Sequence, residues 1–111
     1  MLNRIILIGR LVADPQLRYT QSGLAVTSFT FAVDRSFVSQ NGERETDFID
    51  IVTWRKLAET CANHLNKGRL VAVEGRLQIR SYDDRDGIRR KAAEVVAEQV
   101  QFLDWPNRDQ D

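Results

Sequence analysis

The chain has 111 residues, of which 42% are hydrophobic, so it is long enough for one domain with a real core and is not a disordered segment. Its 16 basic and 16 acidic residues balance, which gives no sign of a nucleic-acid partner and is equally typical of an ordinary neutral surface. The single cysteine, Cys61, cannot form an internal disulfide, and no apolar run is long enough for a secretion signal or a membrane span, so we expect a cytoplasmic protein.

The first half of the chain predicts three β-strands. Branched residues fill the first, Phe29 and Phe31 alternate with polar residues in the second, and Asn41-Gly42 predicts a hairpin between the second and the third. These strands are residues 2–12, 24–38 and 44–54. At about 3.3 Å per residue the second would extend roughly 50 Å, so its far end should project from a small barrel as a hairpin arm or bend strongly.

The second half predicts one helix and two more strands. Leu57, Cys61 and Leu65 recur every four residues, which predicts a helix over residues 56–67, and Gly68 is expected to cap it. The strands are residues 69–82, whose apolar face includes Leu77 and Ile79, and about 91–103. A polar loop at residues 83–90 joins them.

Three strands, a helix and two strands form the element order of the oligonucleotide- and oligosaccharide-binding (OB) barrel. We therefore predict an all-β fold: a five-stranded OB barrel with one helix between the third and fourth strands and long projecting hairpins. One domain is expected over residues 1–104. Trp105-Pro106 ends the regular structure, so residues 105–111 are predicted to be a short, flexible C-terminal extension.

The third strand holds the sharpest functional signal. Ile49 and Ile51 predict a core face, which leaves Phe48 and Trp54 on the other side of the strand, beside water. Burial of both faces, by the helix or by a partner subunit, is the alternative. Trp54 also adjoins two cations, Arg55 and Lys56, so we expect this end of the strand to bind nucleic acid.

The fourth strand repeats this combination of ring and cation. Its polar face carries Arg76, Gln78, Arg80 and Tyr82. Bases stack on rings while guanidinium groups pair with phosphates, and such binding tolerates any base sequence. A solvated strand face with incidental arginines is the alternative.

Two further candidates lie at the distal end of the second strand. Phe37 keeps the phase of the core residues Phe29 and Phe31, so it is a core or interface residue unless the strand has left the barrel or a bulge changes the phase. The long hairpin favours an exit from the barrel, and we expect Phe37 and Arg35 to contact DNA.

An enzyme is not expected. His64, the only histidine, has no nucleophile placed to use it and is predicted to lie on the helix surface. The chain has no glycine-rich phosphate loop, and one cysteine and one histidine cannot build a metal site, so no cofactor is predicted.

The chain resembles the DNA-binding domain of the bacterial single-stranded DNA-binding protein family over nearly its whole length. The resemblance lies in segments whose order and spacing match the family: Leu2-Asn3-Arg4-Ile5-Ile6-Leu7-Ile8-Gly9-Arg10-Leu11, Asp14-Pro15, Arg18-Tyr19-Thr20, Gly23, Asp47-Phe48-Ile49, Trp54-Arg55-Lys56-Leu57-Ala58-Glu59, Leu65, Lys67-Gly68 and Glu74-Gly75-Arg76-Leu77.

The resemblance implies roles for particular residues. The family's four base-stacking aromatics match Phe37, Phe48, Trp54 and Tyr82. Lys56 and Arg80 match positions that contact phosphates, and Gln78 stands where some members carry arginine, which implies fewer backbone contacts here. The implied function is sequence-tolerant binding and protection of single-stranded DNA in replication, recombination and repair, in the cytoplasm and associated with the nucleoid.

The resemblance also implies a homotetramer in which first strands pair between subunits. The apolar residues on both faces of that strand fit this role. The family usually continues into an acidic tail that recruits replication and repair proteins, whereas this chain stops at Asp111, so tail-recruited partners are not predicted. A replication-restart or RNA-binding OB protein and a purely structural OB subunit are the rival interpretations.

Overall fold

A computed structural model describes residues 1–104, so the predicted extension at residues 105–111 lies outside the described part. The elements in chain order are β1 (Ile5–Leu11), β2 (Gln16–Tyr19), β3 (Ala25–Val38), β4 (Arg44–Trp54), α1 (Arg55–His64), β5 (Leu70–Asp83) and β6 (Arg89–Phe102). Within the described range, the 10 residues of α1 are too few to cross a lipid bilayer.

Five of these strands close into a barrel. β1 pairs with β3 and β5, β5 pairs with β6, β6 runs parallel to β4, and β4 returns antiparallel to β3. The OB barrel predicted from the element order is confirmed. The short strand β2, which the sequence did not predict, adds to the free edge of β3.

One hydrophobic core fills the barrel, and α1 covers one end of it. Phe29, Phe31, Ile51 and Val73 are among its buried members, and the helix contributes Cys61. One buried threonine ties the helix to β3, and a second ties β4 to β3. Thr27 Oγ1 donates to the Ala58 carbonyl oxygen at 2.7 Å, and Thr53 Oγ1 donates to the Thr27 carbonyl oxygen at 3.0 Å. The junction between β4 and α1 is therefore fixed to the barrel.

The helix is shorter than predicted, and Gly68 does not cap it. At Leu65 the backbone turns to φ −95° and ψ 149°, while the Leu65 N–H still donates to the Cys61 carbonyl oxygen. Leu65, at which the helix ends, is buried in the core. Gly68 lies in the following turn at φ 87°, where its N–H donates to the Leu11 carbonyl oxygen.

Two hairpin arms project from the barrel. Every residue of β3 from Asp34 onward is exposed, as the length of this strand predicted. β5 leaves the barrel after Gly75, where β6 carries Glu98 as an extra residue in a bulge. Leu77 and Ile79 continue the apolar face of Val71 and Val73, as predicted, but they lie beyond the barrel and are exposed for this reason.

β1 is shorter than predicted, because residues 2–4 precede the regular strand. Ile5 and Leu7 pack against the core, whereas Ile6 and Ile8 on the opposite face are exposed. The strand is therefore apolar on both faces, as predicted.

Candidate nucleic-acid interface

The strand registers define a single outer face across four strands of the barrel. Ser28 of β3 lies opposite Val52 of β4, Val52 lies opposite Val96 of β6, and Val96 lies opposite Arg76 of β5. Directly paired residues point to the same side of a sheet. The outer face therefore joins the polar face of β5 to the side of β4 that bears Phe48 and Trp54.

The two aromatics of β4 are exposed on this face. Phe48 is 68% exposed and Trp54 is 41% exposed, whereas Ile51 on the opposite side is buried. Among residues 1–104, neither the helix nor a strand covers Phe48. Trp54 is packed more closely, because it pairs with Val26, and Val26, Val52 and Val96 form a small buried cluster on the same face.

Cations and a third ring continue the outer face along β5. The guanidinium carbon of Arg80 lies 5.8 Å from the centre of the Tyr82 ring, and Tyr82 is 43% exposed. Arg76 donates to Gln78 Oε1 at 3.0 Å and has no ion-pair partner within residues 1–104. Arg80 lies 3.6 Å from Glu94, a long ion pair that leaves its guanidinium largely open. The structure therefore brings the predicted ring of Tyr82 together with the predicted cations Arg76 and Arg80 along β5.

Arg55 and Lys56 lie at the start of α1, directly after Trp54. Arg55 has φ 61°, in the left-handed region that residues with a side chain rarely adopt, and this turn swings the chain from β4 into the helix. Neither side chain has an ion-pair partner within the described range. Both residues are exposed, so their positive charges remain open to an anion at the end of β4.

The arm formed by β3 and β4 carries Phe37 and Arg35 away from the barrel. Between Asp34 and Val38, four residues of β3 advance against two of β4, and Phe37 is 64% exposed. Phe37 was expected to contact DNA only if the strand had left the barrel at that point. The strand has left the barrel there, as expected.

Arg35 is engaged within this arm. Its Nη2 lies 2.9 Å from Asp47 Oδ1, and its Nη1 lies 2.6 Å from Glu45 Oε2. The hydrogen bond to Asp47 and the two carboxylate charges raise the pKa of Arg35, and the same hydrogen bond lowers the pKa of Asp47. A phosphate would have to compete with these carboxylates for Arg35, so its predicted role has the weakest structural support.

Sequence reasoning missed part of the face. A cleft of about 360 Å³ opens on it, and its lining includes Arg18, Asp50, Arg80 and Glu94. Arg18 was missed because β2 was not predicted as a strand. Its pairing with Val26 is what places it on the outer face. Asp50 is two residues from Phe48, so the sequence already placed it on the same side of β4. Its negative charge gave no reason to predict it as a nucleic-acid contact.

A closed OB barrel that displays rings and open cations on one face defines a nucleic-acid-binding module of the OB class. The comparison with protein families agrees. The model of the single-strand binding protein family matches residues 2–103, and the chain belongs to this family.

Relatives of high identity are named for the same activity. The chain is 62% identical over 104 residues to the single-stranded DNA-binding protein of Caldanaerobacter subterraneus subsp. tengcongensis, covering 94% of this chain and 69% of the relative. It is 58% identical over 107 residues to single-stranded DNA-binding protein 2 of Listeria monocytogenes, covering 96% and 67%. It is 57% identical over 107 residues to single-stranded DNA-binding protein A of Bacillus subtilis, covering 96% and 62%.

Family membership confirms the predicted class, a module that binds single-stranded DNA, and the family is one of binding proteins and not of enzymes. The chain spans between 62% and 69% of the length of these three relatives. Which residues contact the DNA is not decided by membership, so the residue assignments remain predictions.

Proposed function

We propose that the outer face and the two arms bind and protect single-stranded DNA with little regard for base sequence. In this proposal four rings stack on bases, namely Phe37, Phe48, Trp54 and Tyr82. Five cations pair with phosphates, namely Arg35, Arg55, Lys56, Arg76 and Arg80. The observation that carries the proposal is the register that aligns β4 and β5 on one exposed face.

Charge distribution supports this proposal despite the neutral total. Ion pairs hold many of the arginines elsewhere: Arg69 pairs with Asp104 at 3.0 Å, and Arg90 pairs with Asp84 at 2.9 Å. Arg55, Lys56 and Arg76 have no such partner within residues 1–104. Unpaired cations beside exposed rings provide the two contacts that an unpaired nucleotide requires.

Fluorescence tests the proposal directly. The chain has two tryptophans, so a Trp105→Phe variant leaves Trp54 as the sole tryptophan. Its emission should be quenched when oligo-dT is added, because a stacked base lies against the indole. Unlabelled poly-dT should reverse the binding of a labelled strand far better than duplex DNA does. Absence of quenching, or a preference for duplex, would contradict the proposal, and stronger competition by poly-U would favour the RNA-binding interpretation.

The salt dependence provides a second measurement. Binding should weaken as salt rises, with a log–log slope of about −0.7 for each phosphate neutralised on a single strand. An affinity that does not change with salt would contradict the assignment of arginine and lysine to phosphates.

We also propose a homotetramer that uses β1. Ile6 and Ile8 are exposed apolar residues on this strand, and only Arg10 and Leu11 of β1 pair with β3. A free edge with an apolar face is a ready site for pairing with another strand. Light scattering at micromolar concentration should give the mass of four chains, and an Ile6→Arg/Ile8→Arg variant should give a smaller mass. A monomeric parent chain would contradict this assembly.

The proposed setting is the cytoplasm, at the nucleoid, where replication, recombination and repair expose single strands. Sequence-tolerant stacking suits this setting, because the strands to be protected differ in sequence.

A further inference from the structure

A side chain from outside the regular strands holds the base of the arm formed by β5 and β6. Asn3 precedes β1, and its Nδ2 donates to the Leu77 carbonyl oxygen at 2.8 Å. In return, the Leu77 N–H donates to Asn3 Oδ1 at 2.9 Å. The Asn3 side chain therefore bonds both backbone groups of Leu77.

These two bonds continue the pairing of β1 with β5 by one step. Ile5 and Gly75 form the last pair of that ladder, and the same register sets Asn3 opposite Leu77, two residues further along each chain. Residues in an antiparallel hydrogen-bonded pair exchange both of their N–H···O bonds. An asparagine side chain has one carbonyl and one NH₂ group, so it can make this exchange in place of a backbone.

The position of the exchange is important because the arm has little other support. Among residues 1–104, the part of β5 from Arg76 to Asp83 pairs only with β6. An isolated two-stranded hairpin is at best marginally stable in water. Leu77 and Ile79 are exposed, so the apolar face of the arm adds little packing at this point. The bonds from Asn3 therefore stabilise the base of the arm.

The residues that follow Asn3 keep its backbone beside β5. Arg4 forms an ion pair with Glu74, and Ile5 pairs with Gly75. Asn3 itself is exposed, and an exposed amide can exchange its hydrogen bonds for bonds to water. Because the next two residues are both held to β5, the amide stays within reach of Leu77.

The residues on either side of Leu77 belong to the proposed DNA-binding face. Arg76 precedes Leu77 and Gln78 follows it. Alternate residues of a strand point to the same side, so Arg80 and Tyr82 continue this face along the arm. A fixed backbone at Leu77 therefore fixes the direction in which these side chains leave the barrel.

We propose that Asn3 is a positioning residue for DNA binding, which holds the arm of β5 and β6 so that Arg76, Arg80 and Tyr82 are in place before a strand arrives. The inference rests on the proposed binding of single-stranded DNA and gives Asn3 a role without contact with the DNA. An arm whose base is already ordered loses less conformational freedom when the strand binds, which strengthens the complex.

The test compares affinities for a labelled oligo-dT at one low salt concentration, where weakened variants still bind measurably. Asn3→Ala removes both bonds to Leu77, and Asn3 lies outside the core, so the fold is kept. This variant should bind about three- to tenfold more weakly, because the bound strand must then order the base of the arm. Asn63→Ala, which changes an exposed asparagine on α1, is the matched control and should keep the affinity of the unmodified chain.

Two variant backgrounds separate positioning of this arm from a general loss of stability. The first is Arg76→Ala/Arg80→Ala/Tyr82→Ala, which removes the contacts proposed for the arm. In this background Asn3→Ala should cause no further loss of affinity. The second is Phe37→Ala on the other arm, where Asn3→Ala should cause its full loss, because independent sites are additive. Equal losses in both backgrounds would mean that Asn3 acts through overall stability, which overturns the proposal.

Hydrogen exchange of the Leu77 amide provides a measurement that needs no DNA. Asn3→Ala should make this amide exchange about tenfold faster or more, because the arm then opens more readily at its base. An unchanged exchange rate would overturn the positioning role.

The failures of the two proposals are distinguishable. Unchanged affinity in Asn3→Ala overturns the positioning role and leaves strand binding intact. Failure of the unmodified chain to bind oligo-dT overturns the proposed function itself.

Discussion

Replacement of Phe48 by alanine separates binding from folding. The ring is 68% exposed, so about a third of its surface is covered. A phenylalanine buries about 200 Å², and at about 25 cal/mol per Å² that third corresponds to at most about 2 kcal/mol of stability. A domain stable by about 5–15 kcal/mol therefore stays folded. Loss of one stacked base costs about 1–3 kcal/mol of binding, which is about 5- to 150-fold in affinity.

The assay is titration of labelled oligo-dT, with urea unfolding to check stability. Tyr19→Ala is the matched control: Tyr19 is 61% exposed, but it pairs with Ala25 and points to the opposite side of the sheet from Arg18. It should bind with the affinity of the unmodified chain. Unchanged affinity in Phe48→Ala, or an equal loss in both variants, would refute the assignment of Phe48 to the interface.

Three further outcomes are expected. Gly75→Ala should destabilise the fold by about 2 kcal/mol or more in urea unfolding, because its Cβ would overlap the backbone oxygen of Val96; full stability would refute this close approach. Burial raises the pKa of Cys61 to about 11, so the folded state keeps its proton while the unfolded thiol ionises at lower pH. The free energy of unfolding of the unmodified chain, taken relative to that of Cys61→Ala, should therefore fall by roughly 2 kcal/mol between about pH 8 and pH 11. Parallel pH dependences of the two free energies would refute this. Lys56→Ala should make the salt slope shallower by about 0.7, and an unchanged slope would remove this residue from the phosphate contacts.

The strands could be predicted where apolar and polar residues alternate along the chain. Residues 44–54 were predicted to their ends, because the turn at Asn41-Gly42 and the phase of Ile49 and Ile51 both specify the strand. The four residues of β2 alternate polar and apolar, but all four are exposed and the run is too short to specify a strand by itself. Pairing with β3 makes them a strand, and this is a tertiary effect.

The residues of the outer face could be predicted because side chains alternate between the two sides of a strand. The irregularities in strand pairing that interrupt this alternation could not be predicted. The phases of Phe48, Trp54 and Tyr82 follow from counting along β4 and β5. The bulge at Glu98 and the extra residues after Asp34 depend on how neighbouring strands fit together. The exposure of Leu77, the freedom of Phe37 and the engagement of Arg35 all follow from these interruptions, so sequence alone could not decide them.

The hydrogen bonds of Thr27 and Thr53 hold α1, β3 and β4 together, and they divide the proposed DNA-contacting surface into a part anchored to the barrel and a part carried on projecting hairpins. Trp54 and Lys56 sit at the anchored junction, so ligand contact there requires little loss of conformational freedom. Phe37 and Tyr82 lie on projecting hairpins, where a bound DNA strand must also immobilise the hairpin. A short oligonucleotide should therefore settle first at the rigid end, and longer ones should gain affinity less per added nucleotide as they reach outward.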